Sequence, residues 1–369
     1  MIKRLYVHNF RCLENFELLL SGQPSALLIG KNGSGKSTVG LALQVLQSIA
    51  RGTNRVSQLL TPEHFARNRS DVPLRLEIEA LLAGQEYRYT LALELPAGFR
   101  ELRVAEEMLS QDGQPVYSRD RAQIVLRRDA KNRVAKFLVD WHLIALPIIQ
   151  EQSDSDPLHV FKSWLARMLI LAPLPSLISG DSTGDTLMPN RAVTDFGAWF
   201  SGLLAHSPAA YTQIDTYLTR VLPDFKDIKN PMIGKDARSL TVQFYQDGTA
   251  MNLPFRELSD GEKCIFVGAL VLAANKAYGP LFCFWDEPDS HLSLSEVSHF
   301  VMTLRREFQS GGQVLVTSHN PEAIRAFSEE NSLLLYRHSH LEPTLVRPIR
   351  ELQVHGDLVN ALIRDDLKP

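Results

Sequence analysis

The stretch LLIGKNGSGKSTVGLALQVL, which begins at Leu27, constrains this chain more than any other. An apolar run passes directly into Gly30-Lys-Asn-Gly-Ser-Gly-Lys-Ser37 and then into helical apolar spacing. That is G-x-x-x-x-G-K-S placed between a strand and a helix, where backbone N–H groups and a helix N terminus converge on an anion. Gly30, Lys31, Asn32, Gly33, Ser34, Gly35, Lys36, Ser37 and Thr38 are therefore the candidate nucleotide-binding residues. Lys36 is expected to supply charge to the outer phosphates and the Ser37 hydroxyl to ligate Mg²⁺, so ATP and Mg²⁺ are the expected cofactors.

Composition narrows the partners. With 369 residues, 44% of them hydrophobic, the chain can bury a sizeable core, and a formal net charge of −3 gives no global attraction to nucleic acid or membrane. No apolar run approaches the ~20 residues that span a bilayer. The opening MIKRLYVHNF alternates like a strand, without the apolar core of a signal peptide. Cys12, Cys264 and Cys283 lack metal-ligand spacing. A cytoplasmic setting without a membrane partner is expected.

Alternation over residues 2–10 and 16–20 predicts an antiparallel pair feeding the strand at 25–29, with a helix from 37 to about 49. Residues 74–82 and 86–95, and again 123–128 and 133–139, predict two hairpins of an antiparallel lobe. From 161 to 222 the spacing turns helical, as in FKSWLARMLIL, and repeated prolines exclude a long coiled coil. Strand pattern returns at 239, an apolar helix follows LSDGEK, and LFCFWDE and QVLVTSHN read as buried parallel strands. The expected division is 1–145 and 236–369 as two parts of one α/β unit, with 146–235 as an inserted helical lobe.

A phosphate loop alone does not hydrolyse; the metal needs a second protein contact and the water needs orientation. Asp286, ending an apolar strand, suits the metal, and Glu287 suits the water. His319 ends the next strand, where it can sense a γ-phosphate. LSDGEK places Ser259, Asp260, Gly261 and Glu262 at the start of an apolar helix, which reads either as a second anion site or as a serine-capped helix end.

The order of these pieces, a phosphate loop near the start, a long insertion, then LSDGEK, FWDEPDSHL and VTSHNP, resembles the ABC-type ATPases of the RecF, SMC and OLD group. The resemblance covers nearly the whole chain. The opening IKRLYVHNFRCLENFEL is similar to the group's NFR start, which implies that Arg11 lies near the nucleotide, and LVNALIRDDL is similar to a closing helix of small bacterial members. The resemblance implies an ABC-type head with an N-terminal antiparallel β layer and an inserted helical lobe. It also implies a head-to-tail homodimer in which Ser259, Asp260, Gly261 and Glu262 of one subunit close over ATP held by the other. Asp289, Ser290 and His291 would then belong to the loop that crosses the interface. A glutamine linking Mg²⁺ to the helical lobe is expected at Gln150 or Gln152.

Asp260 and Glu262 stand where transporter ATPases carry glycine and usually glutamine, so the RecF/OLD branch is nearer. The fifty residues after His319 hold no carboxylate cluster like that of OLD nucleases, so nuclease chemistry is not expected. Between Arg119 and Lys136, seven Lys and Arg stand against two Asp, a local +5 that could meet a DNA backbone. Trp141, Trp164, Trp199 and Trp285 sit in apolar runs and are expected in the core. The function expected is ATP hydrolysis coupled to dimer closure, controlling a protein effector or DNA in phage defence or genome maintenance. The alternative is a slowly hydrolysing, nucleotide-gated scaffold that sequesters a toxin or nuclease partner.

Overall fold

The computed structural model describes residues 1–128, 133–327, 329–352 and 358–364. A six-stranded sheet carries the phosphate loop, in the order Leu169–Leu171, Phe282–Asp286, Gln313–Thr317, Ser25–Ile29, Ser332–Tyr336 and Leu345–Pro348. Neighbours in it pair in parallel except the last two. Side chains alternate across this sheet with period two. Ala26, Leu28, Phe282, Phe284 and Leu315 enter one core with the helix Lys36–Ala50 and the antiparallel lobe. Leu27, Ile29, Cys283, Trp285, Val314 and Val316 enter a second core with the helices Asp260–Tyr278 and Leu294–Gln309. Because both faces are covered, the strands can be apolar throughout, which is why their sequences read as unbroken runs.

The helix Asp260–Tyr278 is buried from Lys263 to Asn275. Its two ends are the places where its polar groups emerge.

The antiparallel lobe is one eight-stranded sheet, ordered Phe16–Leu19, Ile2–His8, Leu74–Leu82, Gln85–Glu94, Arg103–Gln111, Gln114–Asp120, Gln123–Arg128 and Arg133–Leu138. The two expected hairpins are present, joined by a third pair, Arg103–Gln111 with Gln114–Asp120, that the sequence reading left out. The opening pair is antiparallel as expected but belongs to this sheet, separate from the one that holds Ser25–Ile29.

Inside the lobe, buried Glu107 accepts hydrogen bonds from the hydroxyls of Tyr89 (3.1 Å) and Tyr117 (2.8 Å) and from the amides of Ala145 (2.8 Å) and Leu146 (2.9 Å). Arg119 lies 3.5 Å from it and donates to the carbonyls of Arg121, Leu143 and Asp140. Arg119 is thus interior, and does not belong to the exposed basic face in which the sequence reading counted it. Arg121, Arg127 and Lys136 do remain exposed.

Residues 157–254 hold the helices Pro157–Ala166, Phe196–His206 and Ala210–Val221, and two small three-stranded sheets. The helix expected across FKSWLARMLIL ends at Ala166, and Leu169–Leu171 is instead the edge strand beside Phe282–Asp286. Arg167 closes the helix, Pro173 blocks its resumption, and the three apolar residues are buried against the sheet. Trp199 and Trp285 are fully buried and Trp164 partly, whereas Trp141 is 37% exposed with the Arg103 guanidinium 5.0 Å above its ring. Among the described residues no helix is long and apolar enough to cross a membrane.

Candidate functional site

The strand Ser25–Ile29 turns at Gly30 into the phosphate loop. Gly30 has φ 152°, and a Cβ there would lie 2.1 Å from the Leu335 carbonyl oxygen, so the loop can approach the neighbouring strand only without a side chain. Lys36, 6% exposed, donates from Nζ to the carbonyls of Gly30 (2.8 Å) and Lys31 (3.4 Å). Burial lowers its ammonium below the ordinary lysine value, with Glu287 and Asp286 opposing that shift. The Ser34 hydroxyl is buried with no hydrogen-bond partner. A buried cation satisfied only by two carbonyls, beside an orphaned hydroxyl, fits a phosphate chain.

The loop opens into a cavity of about 720 Å³. Arg11, Asn32, Gly33, Gly35, Ser37 and Thr38 line it, together with Lys36 and Glu287. The segment between the last two strands of the sheet covers the loop from outside. Thr344 Oγ1 donates to the Ser34 carbonyl at 2.9 Å, its amide to the Cys12 carbonyl at 2.8 Å, and Arg337 donates to the Gly33 carbonyl at 3.3 Å. Arg337, His340 and Glu342 also line the cavity. None of these was marked in the sequence, where RHSHLEPT carries no phosphate-binding pattern.

Asp286 and Glu287 end the strand next to the one that leads to His319. The fully buried Thr317 donates from Oγ1 to Asp286 Oδ1 at 2.7 Å and accepts from the Glu287 amide at 2.9 Å. Glu287 has φ 49°, a left-handed backbone that a non-glycine residue holds only where its surroundings impose it. Ser290 Oγ donates to Glu287 Oε2 at 3.2 Å, and His319 Nε2 lies 3.6 Å from Glu287 Oε1. Burial and the nearby Lys36 lower the His319 pKa below the ordinary histidine value, with Glu287 and Asp286 opposing that shift. Asp289 receives a 2.5 Å hydrogen bond from Ser318 Oγ, while burial pushes its carboxyl above the ordinary value.

The other Asp286 oxygen, Oδ2, is 3.2 Å from Arg191 Nη2. Arg191 lies between the edge strand Leu169–Leu171 and the helix Phe196–His206, and was not singled out in the sequence. Gln150 and Gln152 are exposed and outside the cavity lining, and the Gln152 amide donates to Asp156. The physical reason is that Glu107 pins the start of their segment to the antiparallel lobe, whereas the edge strand beside Asp286 is Leu169–Leu171. Among the described residues no group of three or more His, Cys, Asp and Glu side chains is arranged to hold a metal. Ser37 lines the cavity and Asp286 precedes the cavity-lining Glu287; a hydroxyl and a carboxylate are oxygen donors of the kind Mg²⁺ takes, an ion that needs few protein ligands and completes its shell with phosphate and water.

Ser259, Asp260, Gly261 and Glu262 do not line this cavity. They form the N terminus of the helix Asp260–Tyr278, where Ser259 Oγ accepts from the Glu262 amide at 3.3 Å and donates to its carboxylate at 2.7 Å. The serine-cap geometry is therefore present, with Ser259 and Asp260 exposed at the helix end. A Cβ at Gly261 would sit 2.7 Å from the His291 carbonyl oxygen, so glycine lets the loop 289–291 pack against this helix end. His291 Nδ1 and Asp260 Oδ2 are 4.0 Å apart.

A family model described as "AAA domain, putative AbiEii toxin, Type IV TA system" matches residues 25–325. No curated protein sequence matches the chain. Among solved structures, the fold is similar to an SMC head bound to the C-winged helix domain of ScpA, with TM-score 0.56 and 14% identity over 95% of this chain and 99% of that one. An SMC head from Thermotoga maritima (TM-score 0.48, 13% identity, 94% of this chain and 98% of that one) is also similar. So is an SMC head bound to the C-terminal domain of ScpA from Pyrococcus furiosus (TM-score 0.49, 13% identity, 99% and 98%). At such identities the likeness is one of fold, that of the SMC head.

Proposed function

The chain belongs to the AAA-domain family whose model covers residues 25–325, and we propose that it binds ATP with Mg²⁺, hydrolyses it, and couples hydrolysis to closure of a head-to-tail homodimer. The observation that carries this reading is that Glu287, Arg11 and the loop residues Asn32, Gly33, Gly35, Lys36, Ser37 and Thr38 share one cavity, with Asp286, the residue before Glu287, fixed by Thr317. Lys36 and the loop amides bind the phosphates, and Ser37 and Asp286 hold the metal. When bound, Mg²⁺ neutralises charge that develops on the transferred phosphoryl group. Glu287 orients the attacking water from its constrained backbone, and His319 stands beside it to read the terminal phosphate. Ser259, Asp260, Gly261 and Glu262 act on the partner's nucleotide, for which Ser259 must exchange its bond to the Glu262 carboxylate for a new acceptor. Residues 146–235 serve as the lobe that transmits closure.

Closure controls a separate effector or a DNA substrate. The family description, which names a toxin of a type IV toxin–antitoxin system, favours a defence setting. The exposed Arg121, Arg127 and Lys136 offer a face for DNA phosphates. The test is MgATP turnover by the purified protein with and without duplex DNA. Stimulation supports the DNA-controlled reading, slow turnover indifferent to DNA supports the nucleotide-gated scaffold, and failure to bind MgATP refutes both.

A further inference from the structure

The two oxygens of Asp286 are held from opposite sides. Thr317, in the sheet, holds Oδ1 and never needs to leave, because a hydroxyl can keep donating to a carboxylate that also binds a metal. Arg191, from the insertion, holds Oδ2 at 3.2 Å. It carries the same sign of charge as Mg²⁺, so ion and guanidinium compete for this oxygen, and the guanidinium yields it only where another anion is there to receive it. Arg191 also has a donor to spare: its Nε–H is buried and has no acceptor. A planar fork with a free donor, displaced from the carboxylate one residue before the cavity-lining Glu287, is matched to phosphate oxygens.

The backbone around Arg191 makes this exchange matter elsewhere. Its carbonyl accepts from the Ala172 amide at 2.8 Å, just past the edge strand, and Arg51 at the end of the helix Lys36–Ala50 donates to the Pro189 carbonyl at 3.1 Å. Asn190 is tied to Thr194 and Asp195. Five residues beyond Arg191, Phe196 opens the helix Phe196–His206 and stacks on Phe255 with ring centroids 4.6 Å apart. Phe255 lies four residues before Ser259. A short run of packed residues thus joins Arg191 to the start of LSDGEK.

We propose that Arg191 is the nucleotide-state sensor of this protein, paired with Asp286 when no γ-phosphate is present and transferred to the γ-phosphate of bound MgATP, so that the insertion and the Ser259 end of its helix respond to ATP and not to ADP. This rests on the ATP reading given above. The test is calorimetric titration of the full chain with the non-hydrolysable analogue AMP-PNP and with ADP, each with Mg²⁺. Arg191→Ala is expected to weaken AMP-PNP binding about tenfold or more while ADP binding stays level or tightens, and Arg191→Lys, keeping charge without the fork, falls between. The Mg²⁺ concentration that half-saturates ADP binding should fall in Arg191→Ala, because a competing cation has gone.

An AMP-PNP to ADP affinity ratio within twofold of wild type overturns the proposal. Hydrogen exchange on the wild-type protein decides the same point if the variants fail to fold. Amides of residues 187–196 should change their exchange with MgAMP-PNP and not with MgADP; equal responses, or none, overturn it. If the wild type binds neither nucleotide, the functional reading itself fails, and the sensor falls with it.

Discussion

Replacing Thr317 by valine removes one hydroxyl from a fully buried position and leaves the shape nearly unchanged. Two bonds are lost: the 2.7 Å donation to Asp286 and the acceptor for the Glu287 amide at 2.9 Å. A hydrogen bond to a charged group contributes about 1.5–3 kcal/mol and leaving an amide unpaired costs about 1 kcal/mol, from which the burial of a methyl group returns about 1 kcal/mol. The net loss is then roughly 2 kcal/mol of stability. In a chain of 369 residues the unfolding entropy is large enough that each kcal/mol moves Tm by only about 1 °C, so melting is a blunt readout. Metal affinity is sharper, because losing a group that orients a metal ligand typically costs about 10–100-fold. The half-saturating Mg²⁺ concentration for nucleotide binding is therefore expected to rise at least about tenfold in Thr317→Val and to stay within about threefold in Thr317→Ser. Wild-type Mg²⁺ dependence in Thr317→Val would refute the reasoning, and equal damage in both variants would assign the effect to packing rather than to the hydroxyl.

Lys36→Ala should abolish binding of MgATP in calorimetry, since the loop otherwise presents only neutral amides; unchanged affinity would remove the basis for calling it a phosphate loop. In the antiparallel lobe, burial alone would raise the Glu77 pKa, but hydrogen bonds from Arg75, Arg4 and Arg88 outweigh it and hold the carboxyl at about 2 against an ordinary 4.5. A depressed carboxyl stabilises the fold above pH 4.5 and loses that contribution as pH falls toward 2. Acid unfolding of Glu77→Gln should accordingly be flatter than wild type through that window, and identical slopes would contradict the assignment.

How much could be read from the sequence depended on whether a pattern was local. The runs at Leu27, Phe282 and Val314 announced themselves because a sheet covered on both faces demands apolar residues on both, and the phosphate loop because its glycines and lysine are contiguous. Leu169–Leu171 was hidden, since three apolar residues after an amphipathic helix look like one more turn of it. Arg191 was hidden more deeply: its partner is 95 positions away, and a single arginine in a proline-rich stretch carries no signature. Arg119 shows the reverse error, where counting charges along a hairpin included a side chain that points inward to Glu107. The capping box at Ser259 was legible as a motif, but its spacing is the same whether the serine caps a helix or meets a phosphate.

The central claim is that ATP binding closes two heads on each other, and the most direct measurement is the mass of Glu287→Gln in MgATP. The amide keeps the side chain's shape while losing the charge that activates water, so nucleotide should bind and persist. Light scattering is predicted to give a dimer with MgATP and a monomer without it, whereas one unchanged mass in both conditions, with ATP shown to be bound, would contradict the account.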